Sequence, residues 1–509
     1  MVINILKKTN FSLLLLSLLP CAFIIGPFVV ELIVNILIIL FLLDVLKKKN
    51  FYFFKEKIVI FFFSFYLFLL VCLLNSDFIP ETVLNIFFYF RFILFPFAVF
   101  EIINKSKENL KILFIFLLLT IIVVTIDGYI QFFFEKNTLG FVKYRVDRIS
   151  GFFKEDLILG SYLSRILFLL IGLALYFNKS NSNLSKISIV TIFLSTVMIF
   201  LSGERAAFLK TLIGLIIIFF ITSVNWRIKA LSAIFFSTSL ALIMLLNQNI
   251  FDRYVIQFKN HLIGDKKKNI VFLQNYLPMF KTSLKMFNDN KLIGKGPKTY
   301  RYYCADKRFI SYFPNKLLVE NTILKIEIPW KEKRPMELKN VFVSTQQIIK
   351  KGDKVFSYKY LGDNKLNIYY SDREGLIKKI FEQKIIPHNH VLLHLDPQHS
   401  PSKEYIQRNA CNTHPHNFYI QLLAETGIIG FLFIFSLFIF ITYLIVKNLF
   451  YLINKNSKRL SDSELVLLVG LFLSIWPLTT NGNFFNNWIN LISFYPLGFY
   501  LYMNRRKDV

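Results

Sequence analysis

The sequence predicts a polytopic, all-α membrane protein of about twelve transmembrane helices, with one large hydrophilic loop that holds a small β-rich insertion. Three observations predict it. Of the 509 residues, 55% are hydrophobic and 17% aromatic, with 59 phenylalanines. The apolar residues gather in blocks near 20 residues, the length a helix needs to cross about 30 Å of hydrocarbon. The charged residues fall between those blocks, in loops.

The spans are expected at roughly 11–27, 28–46, 58–74, 84–102, 111–131, 158–177, 187–202, 206–224, 230–247, 418–446, 464–480 and 485–502. The first two form a tight hairpin that turns at Gly26-Pro27. Lys7 and Lys8 precede the first apolar run as in a signal peptide, but no small-residue cleavage site follows, so it reads as a retained span. The chain then divides into residues 1–247 with nine spans, a hydrophilic region 248–417, and residues 418–509 with three spans and a tail.

A net charge of +28 would suit nucleic acid. The cations sit in short loops, where they set orientation, so no nucleic-acid partner is expected. One set of alternate loops holds Lys47, Lys48 and Lys49, Lys105 and Lys107, Arg227 and Lys229, Lys447, and the tail Arg505-Arg506-Lys507. The other set includes 75–82 and 481–487, which have no Lys or Arg. The positive-inside bias places the first set and both termini in the cytoplasm. The region 248–417, the loop 132–157 and the turn at 202–205 then face outward.

Outer loops should be poor in cations. The loop 132–157 nevertheless carries Lys136, Lys143, Arg145, Arg148 and Lys154, and the short turn carries Arg205. An anionic substrate on that face would account for them. Arg205 opens a helix after Ser202-Gly203, where guanidinium and backbone N–H groups together favour a phosphate; snorkelling or pairing with Glu204 is the alternative. Arg148 stands before a Ser-Gly turn and two phenylalanines; its alternative is a solvated loop arginine. Arg165, a few residues into the sixth span, could face the same site. Arg91, near the middle of the fourth span, is costly in hydrocarbon. It needs a polar cavity or a structural partner, for which Asp127 and Glu101 are the candidates.

The stretch THPHN at 413–417 closes the hydrophilic region. Pro415 holds His414 extended, and Asn417 is placed to cap a helix starting at Phe418. His416 is thus presented at the membrane surface, where an imidazole can take a proton near neutral pH; a purely structural histidine is the alternative. His388, His390 and His394 share one face of an expected strand, with His399 beyond it. A metal site or a polar strand face would account for them. No nearby cysteine or carboxylate completes a ligand set, so neither a metal nor another cofactor is expected. Cys21 and Cys72 lie in apolar blocks, whereas Cys304 and Cys411 lie in the hydrophilic region and could form a disulfide in an oxidising compartment.

Four segments together resemble the O-antigen ligase and O-antigen polymerase family. They are THPHNFYIQLLAETGIIGFL, in which a His-Asn pair opens a helix ending in Glu-x-Gly-x-x-Gly, and RISGFFKEDLILGSYL, LSGERAAFL and LIGKGPKTYRYYC. The resemblance covers roughly residues 145–430. It implies a GT-C type glycosyltransferase of the bacterial inner membrane, embedded in membrane lipids, with its active site at the periplasmic face. The donor would be a glycan on undecaprenyl diphosphate, and a ligase would transfer it to a sugar hydroxyl of lipid A–core. A polymerase or an O-linked protein glycosyltransferase would use the same donor. The resemblance makes His416 the catalytic base and Arg148, Arg205 and Arg301 contacts to the diphosphate. Arg91 would reach toward it, and His414, Asn417 and Glu425 would support the site. A transporter is the alternative class, and it predicts ionisable residues along a midplane path, where only Arg91 and Asp127 fall.

The family pattern does not account for 310–408. This stretch reads as strands, among them TILKIEIPW, NVFVST, DKVFSYKY, LNIYYS, LIKKIF and VLLHLD, separated by Gly and Asp turns. Its middle looks like a biotinyl/lipoyl-type barrel-sandwich module, with Lys365 near the carrier position; a binding or spacer role is expected rather than attachment of a carrier group. A Cys304–Cys411 disulfide would bracket this insertion and close a loop of 411 − 304 = 107 residues.

Overall fold

A computed structural model gives the architecture. It describes residues 10–145, 147–178, 182–257, 259, 276–306, 308–311, 324–327, 336–345, 347–360, 363, 365–371, 375–380, 385–386, 391–396 and 411–505. The chain divides into two compact units. One comprises Met1–Tyr276, Thr282–Phe309 and Thr413–Val509; the other comprises Leu277–Lys281 and Ile310–Asn412.

The first unit is helical, and every expected span finds a helix. The N-terminal helices are α1 (Phe11–Ile25), α2 (Pro27–Lys48), α3 (Lys57–Leu74), α4 (Ile79–Phe87), α5 (Arg91–Asn104) and α6 (Lys107–Phe134). They are followed by α7 (Leu159–Phe177), α8 (Ser182–Leu201), α9 (Arg205–Ile221), α10 (Trp226–Leu246) and α11 (Leu277–Asp289), of which Leu277–Lys281 count with the second unit. Then come α12 (Phe418–Ile453), α13 (Asp462–Ser474) and α14 (Asn487–Arg505). Sequence-local caps set several boundaries. Asn10 caps α1 and Asn225 caps α10 with a side-chain oxygen, and Ser461 with Glu464 forms a capping box on α13. Pro27 at the first turn of α2 fixes the α1–α2 hairpin at Gly26, as its sequence predicts.

Among the described residues, eight helical segments are long and apolar enough to cross a membrane, fewer than the twelve expected. α4 and α5 count as one of them, Ile79–Asn104. α1, α9 and α13 are apolar but have 15, 17 and 13 residues, short of the about 20 that cross hydrocarbon. α14 has 19 residues but is rich in asparagine and tyrosine. A second difference lies in α12, expected as one continuous span. Gly427, at φ 65° and ψ −166°, breaks the helix there. Hydropathy runs unbroken through this position, so the break is invisible to a hydropathy reading.

The bundle is held by aromatic packing. α5 packs against α14, and α7 against α8 and α13. Phe23 meets Trp488 edge-on at 5.8 Å, and Phe92 stacks on Phe494 at 6.3 Å. Such pairs each add about 0.5–1.5 kcal/mol beyond the area they bury.

The second unit is β-rich, as its strand-like runs predict. Among the described residues, eight strands form two four-stranded antiparallel sheets. The strands are β1 (Leu324–Glu327), β2 (Met336–Val341), β3 (Ile348–Ile349), β4 (Lys354–Tyr360), β5 (Asn367–Tyr370), β6 (Gly375–Ile380), β7 (Ile385–Ile386) and β8 (Val391–Asp396). The sheet orders are β1-β8-β6-β3 and β5-β4-β2-β7. Met336, Ile349, Val355, Phe356, Ile377 and Leu393 belong to its own apolar core. The two-residue strands β3 and β7 are too short to register as strand patterns. Lys365 is exposed in the turn between β4 and β5, its backbone N–H donating to Asp363 Oδ1 at 3.2 Å. His388, His390 and His399, and the side chain of His394 on β8, lie outside the described residues.

Candidate functional site

The last turns of α6 shape the loop that carries Arg148. Asp127, 1% exposed, accepts from the Thr138 N–H at 2.9 Å and its hydroxyl at 2.5 Å. Gln131, one turn on, accepts from the Ser150 and Gly151 N–H groups at 3.0 and 2.8 Å. Asp127 is therefore committed to the loop and is not the partner of Arg91. Glu101 is not that partner either, since it accepts from the Tyr52 hydroxyl at 2.6 Å.

Glu204 stands between α8 and α9 and caps a third helix. It accepts from the Gly160 and Ser161 N–H groups at 2.7 and 3.1 Å and from the Ser161 hydroxyl at 2.6 Å, all at the start of α7. Arg205 opens α9, as its sequence predicts, and its Nη1 is buried with no hydrogen-bond partner. Arg148 donates from Nη2 to the Leu157 carbonyl at 2.8 Å and lies 4.0 Å from Glu204, while its buried Nε has no partner. Arg253 completes this group. It donates to the Gly203 carbonyl at 3.0 Å and to Asp147 at 3.2 Å, and acts electrostatically on both Arg148 and Arg205. Arg165 donates to the Ser161 carbonyl at 2.9 Å.

A second group forms around the Gly-Lys-Gly-Pro turn. Glu425 in α12, fully buried, accepts from the Lys298 N–H at 3.0 Å, the Tyr300 N–H at 2.7 Å and Gln421 Nε2 at 2.9 Å. It thereby holds the turn and the short helix Tyr300–Tyr303 that carries Arg301. Asn75 donates to the Gly294 carbonyl at 3.0 Å, and the Tyr303 hydroxyl donates to Asp77 at 2.7 Å, which docks the loop 75–78, free of Lys and Arg, onto this turn. Arg91, the first residue of α5, pairs with Glu31 of α2 at 3.4 Å, and Glu31 also accepts from Asn487 at 2.6 Å. The buried Nε atoms of Arg91 and Arg301 have no hydrogen-bond partner.

His416 joins the two groups. Asn417 caps α12 by accepting from the Tyr419 and Ile420 N–H groups at 3.0 and 3.1 Å, and it donates to the Pro477 carbonyl at 2.9 Å. The His416 carbonyl accepts from the Asn481 N–H at 2.9 Å. Its ring lies 5.2 Å from that of Tyr276 and 4.3 Å from that of His414. Tyr276 is in electrostatic range of Arg205, and Arg301 of His414. A line of neighbours thus runs Arg205, Tyr276, His416, His414, Arg301. Burial holds the His416 imidazole below the usual histidine range. Burial, then the neighbouring His416, holds His414 at about 4. Both rings are neutral at neutral pH. The His414 Nδ1 lies 2.9 Å from the Thr413 hydroxyl.

Sequence reasoning missed Tyr276, Arg253, Lys298, Gln421 and the Asn481–Asn483 pair. Gln421 bridges to Asn483 at 2.9 Å and to the Phe484 N–H at 2.9 Å, which seats the 481–487 loop behind His416. The signal available was that loop's run of asparagines. Of the cysteines, Cys21 and Cys72 are free and Cys304 and Cys411 are disulfide-bonded. Among the described residues no cluster of His, Cys, Asp and Glu could hold a metal ion.

The fold and site define a multi-pass helical membrane protein in which Tyr276, His416 and His414 lie between two arginine-bearing groups. A family model described as O-antigen ligase matches residues 190–323, from within α8 through Arg205 to beyond Arg301. Over those residues the chain is similar to the O-antigen ligase family. The match ends just before β1, so His416 lies beyond it. No curated protein matches the chain.

Proposed function

We propose that this protein is an O-antigen ligase-type glycosyltransferase. It moves a glycan from undecaprenyl diphosphate to a sugar hydroxyl of lipid A–core at the periplasmic face of the inner membrane, with both termini cytoplasmic. The observation that carries this reading is the buried guanidinium nitrogens without partners at Arg148 and Arg205, the latter linked through Tyr276 to the neutral rings of His416 and His414. A buried donor left unpaired is costly, and a diphosphate would satisfy both.

The reaction is a displacement at the anomeric carbon. The acceptor oxygen forms the new bond to that carbon as the bond to the diphosphate oxygen breaks. His416 takes the hydroxyl proton, which a neutral imidazole can do. Arg148 and Arg205 receive the negative charge that develops on the leaving diphosphate, while Arg301, expected from the resemblance to share that role, stands on the His414 side. His414, Asn417 and Glu425 hold these groups in place. Asn417 and Glu425 do so through backbone N–H groups.

Replacing His416 by Ala in the native host and blotting lipopolysaccharide tests the reading. Core capped with no repeat unit is expected. Core capped by a single repeat would instead assign polymerisation, and normal ladders at normal protein level would overturn the catalytic role.

A further inference from the structure

Lys298 and His416 share an unusual backbone. Among the described residues, non-glycine positions with positive φ are Lys49, Glu135, Lys154, Lys298, His416 and Lys455. Lys49 and Glu135 close α2 and α6, Lys154 closes a 3-10 turn, and Lys455 follows the C-cap of α12. Lys298 and His416 do something else. Each stands immediately before an N-cap, Thr299 and Asn417, at φ 65° and 60°. That region favours Gly, and among other residues Asn, Asp and His, so the lysine is the exception of the two. A lysine held there points to a use for its side chain.

The surroundings of Lys298 show what the use is. Its Nζ donates to Asn85 at 2.8 Å, and Arg301, Glu425, Glu31 and Arg91 all act on it electrostatically. The two carboxylates are already engaged. Glu425 is held by the backbone of the turn, and Glu31 is shared between Arg91 and Asn487. Three cations face two carboxylates, with two buried guanidinium Nε atoms lacking acceptors.

We propose that Lys298 and Arg91, flanking Arg301, form a second anion subsite, which holds a phosphate carried by the acceptor sugar. The inference rests on the transferase reading. In a direct displacement the acceptor enters opposite the leaving group. The neighbours of His416 divide the same way: Tyr276 leads to Arg205, and His414 leads to Arg301 and on to Lys298. The Arg148–Arg205 side then takes the donor diphosphate, and the Lys298 side takes the acceptor's charge.

The test is binding to the purified full-length protein in nanodiscs, with glucose, glucose 6-phosphate and inorganic pyrophosphate as probes. Binding needs no turnover, so the result is separate from the fate of the His416→Ala experiment. The wild type is expected to bind glucose 6-phosphate well above glucose. Lys298→Gln, which keeps a donor for Asn85, should weaken glucose 6-phosphate about tenfold and pyrophosphate by less than about twofold. Lys298→Arg should restore the sugar phosphate, and Arg205→Gln should show the reverse selectivity. Equal binding of glucose and glucose 6-phosphate by the wild type would overturn the proposal. So would a Lys298→Gln variant that loses pyrophosphate as strongly as the sugar phosphate, because the lysine would then belong to the donor side.

Discussion

Gly294 and Gly427 each make room for the backbone just before the other, Glu425–Thr426 and Leu292–Ile293. A Cβ on Gly294 would lie 2.4 Å from the Glu425 carbonyl carbon, and one on Gly427 would lie 2.3 Å from the Leu292 carbonyl oxygen. Both have positive φ, 68° and 65°. The helix break in α12 is therefore the partner of the Gly-Lys-Gly-Pro turn, and Ile428 N–H donates to the Lys291 carbonyl at 2.8 Å across the junction. Gly294→Ala or Gly427→Ala is expected to cost about 1–3 kcal/mol through overpacking, plus the strain of a left-handed alanine. Thermal unfolding in detergent would measure it, and an unchanged midpoint would contradict the interlock.

Glu425→Gln should destabilise the same junction. The carboxylate has only acceptors and meets three N–H donors, whereas an amide turns one acceptor into a donor facing a donor. The expected loss is about 1–3 kcal/mol. Transfer should fall with it, because Arg301 rides on the turn that Glu425 holds.

The rate should depend on His416 ionisation. Its folded pKa lies below 6.5, so the neutral base is present above that pH and the rate is level there. The rate should fall on acidification through the lowered pKa. A pH–rate profile of purified protein checks this, and a rate that rises on acidification would remove His416 as base.

His414 should set a stability slope. Its pKa is about 4 in the fold against 6.5 as the ordinary value. As pH falls below 6.5 the unfolded chain takes the proton first, so stability present above 6.5 is lost progressively down to about pH 4. Melting temperatures from pH 7 to 4 should show this slope, reduced in His414→Gln.

Arg205→Gln should lower turnover by about a hundredfold or more, the cost of removing one donor to a developing negative charge. Arg205→Lys should recover only part, since an ammonium cannot present two parallel N–H groups. Single-turnover transfer from a lipid-linked donor measures both.

Much of this was legible in short stretches of sequence. The cap at Asn417, the hairpin at Gly26-Pro27, the helix start at Arg205 and the longer strands of the insertion all depend on neighbours a few residues away. What was hidden depends on contacts between distant segments. Arg91 finds Glu31 on a different helix, a carboxylate that an apolar block conceals. Tyr276 lies against His416 although 140 positions separate them in the chain. Lys298 looks like one more loop cation until its backbone angle and its neighbours are known.

The two left-handed residues have a consequence for engineering. At Lys298 and His416 a glycine or asparagine would relieve backbone strain of about 1 kcal/mol or more per position. A library selected for heat resistance alone would thus enrich Lys298→Gly and His416→Asn, and the survivors would be sturdier proteins without the proposed base and without one of the proposed anion-binding cations. A stabilised variant of this chain should be sought with both positions held fixed.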